Sequence, residues 1–390
     1  MHKFGTRFPL APLPSWLRVA ALVVAIKVVV FLTVILSLSL LPPIFDGDNY
    51  LKRFHWPTDE APSYTWMLKT WDSAHYLYLS ERGYADAGGS AAFFPLWPMV
   101  IRVASPLFGT SLWAGLILAN LFSLAGWTIF HRFAARLVDE PTADTSLLLG
   151  LAYPGAFYFC LPYTEALFLL VTVSVFYLVA SNRLVAAALL SILAPMTRAV
   201  GVFLFIPIAW QAFRDWRKGE RPLWHLALAV APAVGFGLTL GILWIATGNP
   251  LIGFEAQAKY ASQGSVFKVL QPVPFIKSFI DVWGVHGVLH SGIDRVLFVA
   301  MTIGLVLTAR FEKTVGPMTV YSALLIIVPA MTMSFMAFTR FPAVVFPVFL
   351  ATGSVLSAPS KRYLRWIVLA LLLMLQFFFL LRHVNSHWAA

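Results

Sequence analysis

Four charged side chains stand where apolar runs break: Asp72, Glu165, Arg198 and Arg340. Asp72 follows Trp71 at the head of a polar and aromatic stretch, residues 71–98, reading WDSAHYLYLSERGYADAGGSAAFFPLWP. A carboxylate held beside a membrane surface can serve as general base toward a hydroxyl within hydrogen-bond reach. Asp72 also suits the N-cap of a short helix over 73–82 that Gly83 closes, and taken alone that capping role is the simpler reading. Glu165, in LPYTE at 161–165, opens an apolar run where the helix dipole favours an acid, which serves a cap and a site equally. Arg198 and Arg340 sit at the ends of apolar runs, a costly place for a cation unless it pairs internally or holds a ligand. A guanidinium binds phosphate bidentately, so an anionic lipid phosphate is one natural partner, and an Arg198–Glu165 pair is the structural alternative. The aromatic flank Trp71, Tyr76, Tyr78 and Tyr84 suits sugar stacking or the headgroup belt.

Other polar residues form weaker patterns. Asp46-Gly47-Asp48 resembles paired acids that bind a divalent ion, but no further ligands accompany it, and a solvated turn is preferred. His55, His75, His286 and His290 lack a metal-ligand spacing, and Lys27 inside the first apolar run can snorkel or pair. The solitary Cys160 excludes an internal disulfide and a cysteine-based metal cluster. No cofactor and no metal ligand are therefore expected.

The elements that must position these residues are membrane helices. Of the 390 residues 59% are hydrophobic and only 12% charged, and the mean hydropathy is +0.79, far from the balance of soluble domains. The net charge of +11 falls largely in short gaps between apolar runs, which reads as topology and excludes nucleic acid as its cause. Lys3, Arg7 and Arg18 precede the run 19–41, an uncleaved first span with the N-terminus inside. The acid-rich segment 42–92 then lies outside. Residues 93–108 carry Pro95, Pro98 and Pro106 and predict a re-entrant or interfacial helix, followed by a span at 112–133. Further runs at 146–160, 166–180, 184–195, 200–213, 223–246, 296–308, 318–336, 343–356 and 366–381 bring the expected total to about eleven spans. This topology puts Arg132, Arg136, Arg183, Arg214, Arg217, Lys218, Arg221, Arg310, Lys313, Lys361, Arg362 and Arg365 inside. The unusual polar residues converge outside. There is no internal repeat or inverted duplication. One membrane domain over 1–390 is expected, with external loops at 42–110 and 247–293.

In this order the motifs resemble those of the PIG-V-like mannosyltransferases, relatives of GPI mannosyltransferase 2 in the GT-C class. The resemblance rests on Trp71-Asp72 with Gly83-Tyr84, then FFPLWP at 93–98, YTEALF at 163–168 and Thr197-Arg198 with Gly201. Gly248-Asn249-Pro250, Thr339-Arg340-Phe341 and Phe346-Pro347 continue it. Residues 197–201 read TRAVG where the family often has arginine-serine-asparagine-glycine, which leaves the acceptor open. The length resembles the bacterial homologues. The resemblance implies an all-α GT-C bundle that transfers a hexose, typically mannose, with inversion from a polyprenyl-phosphate donor to an acceptor hydroxyl at the external or lumenal face. The acceptor is a lipid, glycan or protein, and the setting is the cell membrane in a bacterium. Within that frame Asp72 is the expected base, while Glu165, His75 and Tyr163 position the acceptor. Arg340 and Arg198 are expected at the donor phosphate, and Trp71, Tyr76, Phe94 and Trp97 at sugar or lipid. The aromatic, proline-rich flank of Arg340 could line a polyprenyl channel. A transporter or flippase, motivated by Lys27, Glu165, Arg198 and Arg340, and a noncatalytic scaffold are the other classes.

Overall fold

The structure is a computed structural model that describes residues 15–40, 55–57, 65–260, 263–282, 288–385, 387 and 389. It is all-α. Helix α1 (Ser15–Leu40) leads to α2 (Asp72–Arg82), α3 (Leu96–Phe108), α4 (Ser111–Leu137) and α5 (Glu140–Ala152). Next come α6 (Glu165–Ala180), α7 (Leu184–Ser191), α8 (Leu193–Thr197), α9 (Phe205–Arg217), α10 (Ala231–Thr247), α11 (Ile252–Ala258) and α12 (Pro272–Ile280). The chain ends with α13 (Val288–Phe311), α14 (Pro317–Thr332), α15 (Phe346–Leu356) and α16 (Arg362–Val384).

Five stretches among the described residues are long and apolar enough to cross a membrane: Ser15–Ser37, Ser111–Leu137, Leu223–Thr247, Ser291–Phe311 and Pro359–Val384. Of the shorter apolar helices, α6 and α15 are almost wholly buried, while α3 and the α7–α8 pair each keep an exposed apolar face through Val103 and Leu107 and through Val185 and Leu189. A 16-residue helix is only about 24 Å long, less than the hydrocarbon thickness, so it must hand over to irregular chain buried in protein. The eleven runs expected from hydropathy therefore resolve into long spans and broken ones. The run at 146–160 is two pieces, because α5 stops at Ala152 and Tyr153-Pro154 lead into a 3-10 turn, Ala156–Cys160. The run at 318–336 ends as helix at Thr332, beyond the Pro329 inside it. Residues 93–108 form an irregular entry followed by α3.

The core lies where α4 packs along α6, α5 on α15, and α15 on α13. Edge-to-face aromatic contacts lock it: Trp127 on Phe159 at 5.3 Å, Phe130 on Phe346 at 5.9 Å and Phe176 on Phe346 at 5.2 Å. Lys27 in α1 is buried, and its ammonium donates to Asn120 Oδ1 (3.0 Å), Ser123 Oγ (2.6 Å) and the Phe159 carbonyl (3.2 Å). That clasp ties α1 to α4 and satisfies a charge too costly to leave bare in lipid.

The ends of the bundle differ in charge. Arg18 pairs with Glu140 and Asp144 at 3.2 Å each, Arg136 donates to Ser181 Oγ, and Arg221 to Asn182 Oδ1. These contacts gather the basic helix ends beside the C-terminus of α6. Its N-terminus, Glu165, is at the other end.

Candidate active site

Each of the four charged residues is placed by a local break in the helices. Trp71 turns the backbone with φ +57, and α2 begins at once with Asp72, whose carboxylate the helix dipole stabilises. Asp72 is the first residue of the helix, Trp71 stands at the cap position, and the Asp72 carboxylate accepts from Arg340, so the capping role does not describe it. Gly83, with φ +80, ends α2 as its position predicts. Glu165 is the first residue of α6 and is fully buried. Arg198 lies in extended backbone between α8 and a 3-10 turn, Ala199–Leu204. Arg340 closes an irregular segment, 333–340, in which Ser334, Phe335 and Ala337 all have positive φ (51, 64 and 61). Left-handed backbone at residues other than glycine costs about 1–3 kcal/mol each and persists where surroundings over-determine it. Gly155 lets this segment close on the core, since a Cβ there would meet the Thr339 carbonyl at 2.6 Å and Arg340 Cα at 3.1 Å.

The four charges meet in one cluster. Arg340 Nη1 donates to Asp72 Oδ2 at 2.5 Å, and Arg340 Nε lies 3.1 Å from Glu165 Oε1. Arg198 Nη1 donates to the same Glu165 oxygen at 3.0 Å. Two acids and two guanidiniums balance, which a buried site requires. Rings enclose the cations: Tyr163, Tyr158 and Phe341 lie 5.4, 5.6 and 5.3 Å from the Arg340 guanidinium, and Phe341 and Phe168 lie 5.2 and 5.9 Å from that of Arg198.

The cluster forms one wall of a cavity of about 260 Å³. Asp72, Arg198 and Arg340 border it, as do Trp71, His75, Tyr76 and Phe94 from the expected set. Much of the remaining wall is apolar, supplied by α14 and the following turn through Leu325, Val328, Met333 and Met336. Three expected contacts are placed differently. Glu165 does not border the cavity; it holds both arginines from behind. Tyr163 is buried under the Arg340 guanidinium, and Trp97 is fully buried, donating Nε1 to the Pro162 carbonyl at 3.1 Å. The indole thus ties α3 to the turn before Glu165, and no sugar contact follows from its position.

His75 and its neighbours form a second polar patch. His75 Nδ1 lies 2.8 Å from Ser90 Oγ and stacks on Phe93 at 4.6 Å, while Nε2 is 3.5 Å from Tyr260 Oη. Tyr260 donates to the Gly89 carbonyl at 3.0 Å. Burial pushes the imidazole below its ordinary value, against a weaker pull from Asp72, so it is neutral at pH 7. Burial, with Asp72 adding to it, pushes the Tyr260 phenol up, so it stays a hydrogen-bond donor. Tyr260 and Gln257 border the cavity from within the 247–293 loop and were not among the residues expected there. Their only signal is proximity to Gly248-Asn249-Pro250, whose Asn249 side chain accepts from Leu251 N–H at the start of α11. Asp46, Asp48 and His286 lie outside the described residues, as does the side chain of His290.

A sequence profile described as mannosyltransferase (PIG-V) matches residues 23–214, the half that holds Asp72, Glu165 and Arg198. Over 228 residues the chain is 26% identical to GPI alpha-1,6-mannosyltransferase 2 of Cricetulus griseus. That match takes in 55% of this chain and 44% of the relative, so the chain spans under half the length of that curated protein. The fold superposes with a TM-score of 0.52 on ArnT from Cupriavidus metallidurans, solved bound to undecaprenyl phosphate. The superposition covers 90% of this chain and 63% of that one at 16% identity, a likeness of fold.

Proposed function

Because the chain is PIG-V-like and its fold is that of the GT-C membrane glycosyltransferases, we propose that it transfers a hexose, mannose in the first instance, from a polyprenyl-phosphate donor to an acceptor hydroxyl. One observation carries this reading: Asp72, Arg198 and Arg340, from distant parts of the chain, meet on one wall of a cavity whose remainder is largely apolar. A lipid-linked sugar phosphate needs such a pairing of charge with an apolar wall. The undecaprenyl phosphate bound to ArnT supports a donor of this class.

Asp72 takes the proton of the acceptor hydroxyl while its oxygen attacks the anomeric carbon from the face opposite the phosphate. The bond between that carbon and the phosphate oxygen breaks, its electron pair leaves with the phosphate, and the sugar is inverted with no covalent enzyme intermediate. Negative charge passes from Asp72 to the departing phosphate. Arg340, bonded to Asp72 before the reaction, is then released from half its partnership as the phosphate gains charge, and with Arg198 it stabilises that charge. Glu165 holds the two guanidiniums and stays clear of the acceptor, while His75, Tyr260 and Gln257 offer neutral groups to sugar hydroxyls. Residue chemistry of this kind needs no metal, and transfer is expected to survive exhaustive chelation.

The site faces outside, a placement supported by the basic helix ends gathered at the opposite end of the bundle. The test is transfer from synthetic polyprenyl-phosphate mannose to candidate acceptors by purified protein in liposomes. Wild type should transfer, and Asp72→Asn should fold yet lose about 10²- to 10⁴-fold in rate. Near-normal turnover by folded Asp72→Asn would remove the base assignment, and substrate flux without any sugar transfer would favour a carrier.

A further inference from the structure

Asp294 takes no part in the site's wall, yet it sits on α13 with 3% of its surface exposed, where a carboxylate is costly unless well partnered. Its Oδ1 accepts two hydrogen bonds from a single residue, one from the Thr339 N–H at 2.8 Å and one from the Thr339 hydroxyl at 2.7 Å. Thr339 is the residue before Arg340. One bond fixes the Thr339 backbone and the other its side chain, next to the Cα from which the Arg340 side chain departs, in a segment with three left-handed residues that is held otherwise by turn hydrogen bonds.

The next residue braces the same segment from another side. Arg295 donates to the carbonyls that end α12, Ser278 O at 2.6 Å, Asp281 O at 2.9 Å and Phe279 O at 3.3 Å, and to Ser291 O at 2.9 Å. Its guanidinium lies 4.9 Å from the Phe335 ring centroid, and Phe335 stacks on Phe275 of α12 at 5.3 Å. Adjacent residues of one helix thus grip both ends of the 335–340 turn.

We propose that Asp294 is a positioning residue for the transfer reaction: by holding Thr339 it sets the Arg340 guanidinium against Asp72 and Glu165. This rests on the glycosyltransferase reading for its kinetic consequence, but the placement of Arg340 is also readable without substrate. What Asp294 must supply is an acceptor, and its negative charge is not required. Asparagine keeps an oxygen at the same place, and alanine does not.

Three measurements on the full chain in detergent or liposomes test this. In transfer, Asp294→Ala should lower kcat at least tenfold and Asp294→Asn no more than threefold. In an Arg340→Lys background the Asp294→Ala loss should shrink to less than twofold, because the residue it positions is already changed. In thermal unfolding, the drop in midpoint caused by Arg340→Gln should be at least halved when Asp294→Ala is present. Should Asp294→Ala not fold, Thr339→Val removes one of the two bonds and should give an intermediate loss that the Arg340→Lys background again absorbs. Equal loss from the Ala and Asn variants, full additivity with Arg340→Lys, or an unchanged midpoint drop would each overturn the proposal. A wild-type protein that transfers no sugar counts against the glycosyltransferase reading alone, and the midpoint coupling then decides the placement by itself.

Discussion

Arg340 is shared between two carboxylates through different nitrogens, Nη1 to Asp72 and Nε to Glu165, a geometry that a single ammonium cannot reproduce. Arg340→Lys should therefore lower transfer by tenfold or more while the protein still folds, measured by kcat against unfolding midpoint. Arg340→Ala strands buried Glu165 with only Arg198, and breaking a buried pair costs about 3–5 kcal/mol, so this variant should also lose stability, and Glu165→Gln should restore part of it. The Arg198–Glu165 pair invites a charge-swap test, but the structure predicts its failure. Reversing both charges would set a new cation against Arg340, so the double reversal should be no better than the singles. Recovery by the swap would mean that Arg340 does not contact Glu165. At His75 the sign follows from burial: the folded imidazole binds its proton below the ordinary value of about 6.5 while the unfolded one does not. The unfolded chain thus takes up more protons as pH falls below about 6.5, and stability is lost there and unaffected above it. His75→Gln should remove that acid-side loss in unfolding scans at pH 7, 6 and 5.

Between the residues and the bundle stand the breaks that end helices at the site. Gly155 is where the turn after α5 touches the Arg340 segment, and a methyl group there has no room against the Thr339 carbonyl. Gly155→Ala should move Arg340 and reduce transfer several-fold with a modest loss of stability; wild-type kinetics in that variant would show that the segment gives way freely. Such breaks also mark the limit of what the sequence reveals. Helices α4, α6 and α16 follow from the apolar runs at 112–133, 166–180 and 366–381, the last preceded by Lys361, Arg362 and Arg365, and Asp72, Arg198 and Arg340 stand out as charges at run ends. The breaks at Tyr153 and Met333 are hidden, because hydropathy scores buried irregular chain and buried helix alike. What distinguishes them is a partner far along the chain, and no local pattern connects Asp294 to Thr339. Trp97 and Tyr163 show the same limit: an aromatic beside a site motif looks the same in sequence whether it faces the cavity or packs behind it.

At the scale of the whole molecule, charge asymmetry is what supports the proposed direction of the cavity. α6 spans about 24 Å between Glu165 at the charged cluster and Ala180 beside the basic ends, so the two features lie on opposite sides of one short helix. In the orientation we propose, the basic residues near span ends stay in the cytoplasm and the Asp72 side faces outward. On that proposal the donor would offer its sugar on the outer side, with its chain reaching the apolar wall of the cavity through the bilayer. The orientation can be read without activity. Cys160 is buried, with Lys27 Nζ 3.9 Å from its sulfur, so Cys160→Ser provides a background without reactive thiols. Val266 is half exposed near the cavity-side turn, and Lys218 is exposed at the basic end beyond α9. In intact cells an impermeant maleimide should label Val266→Cys and leave Lys218→Cys untouched until the membrane is opened. The reverse pattern would place the charged cluster in the cytoplasm, and the donor would then have to be presented from that side.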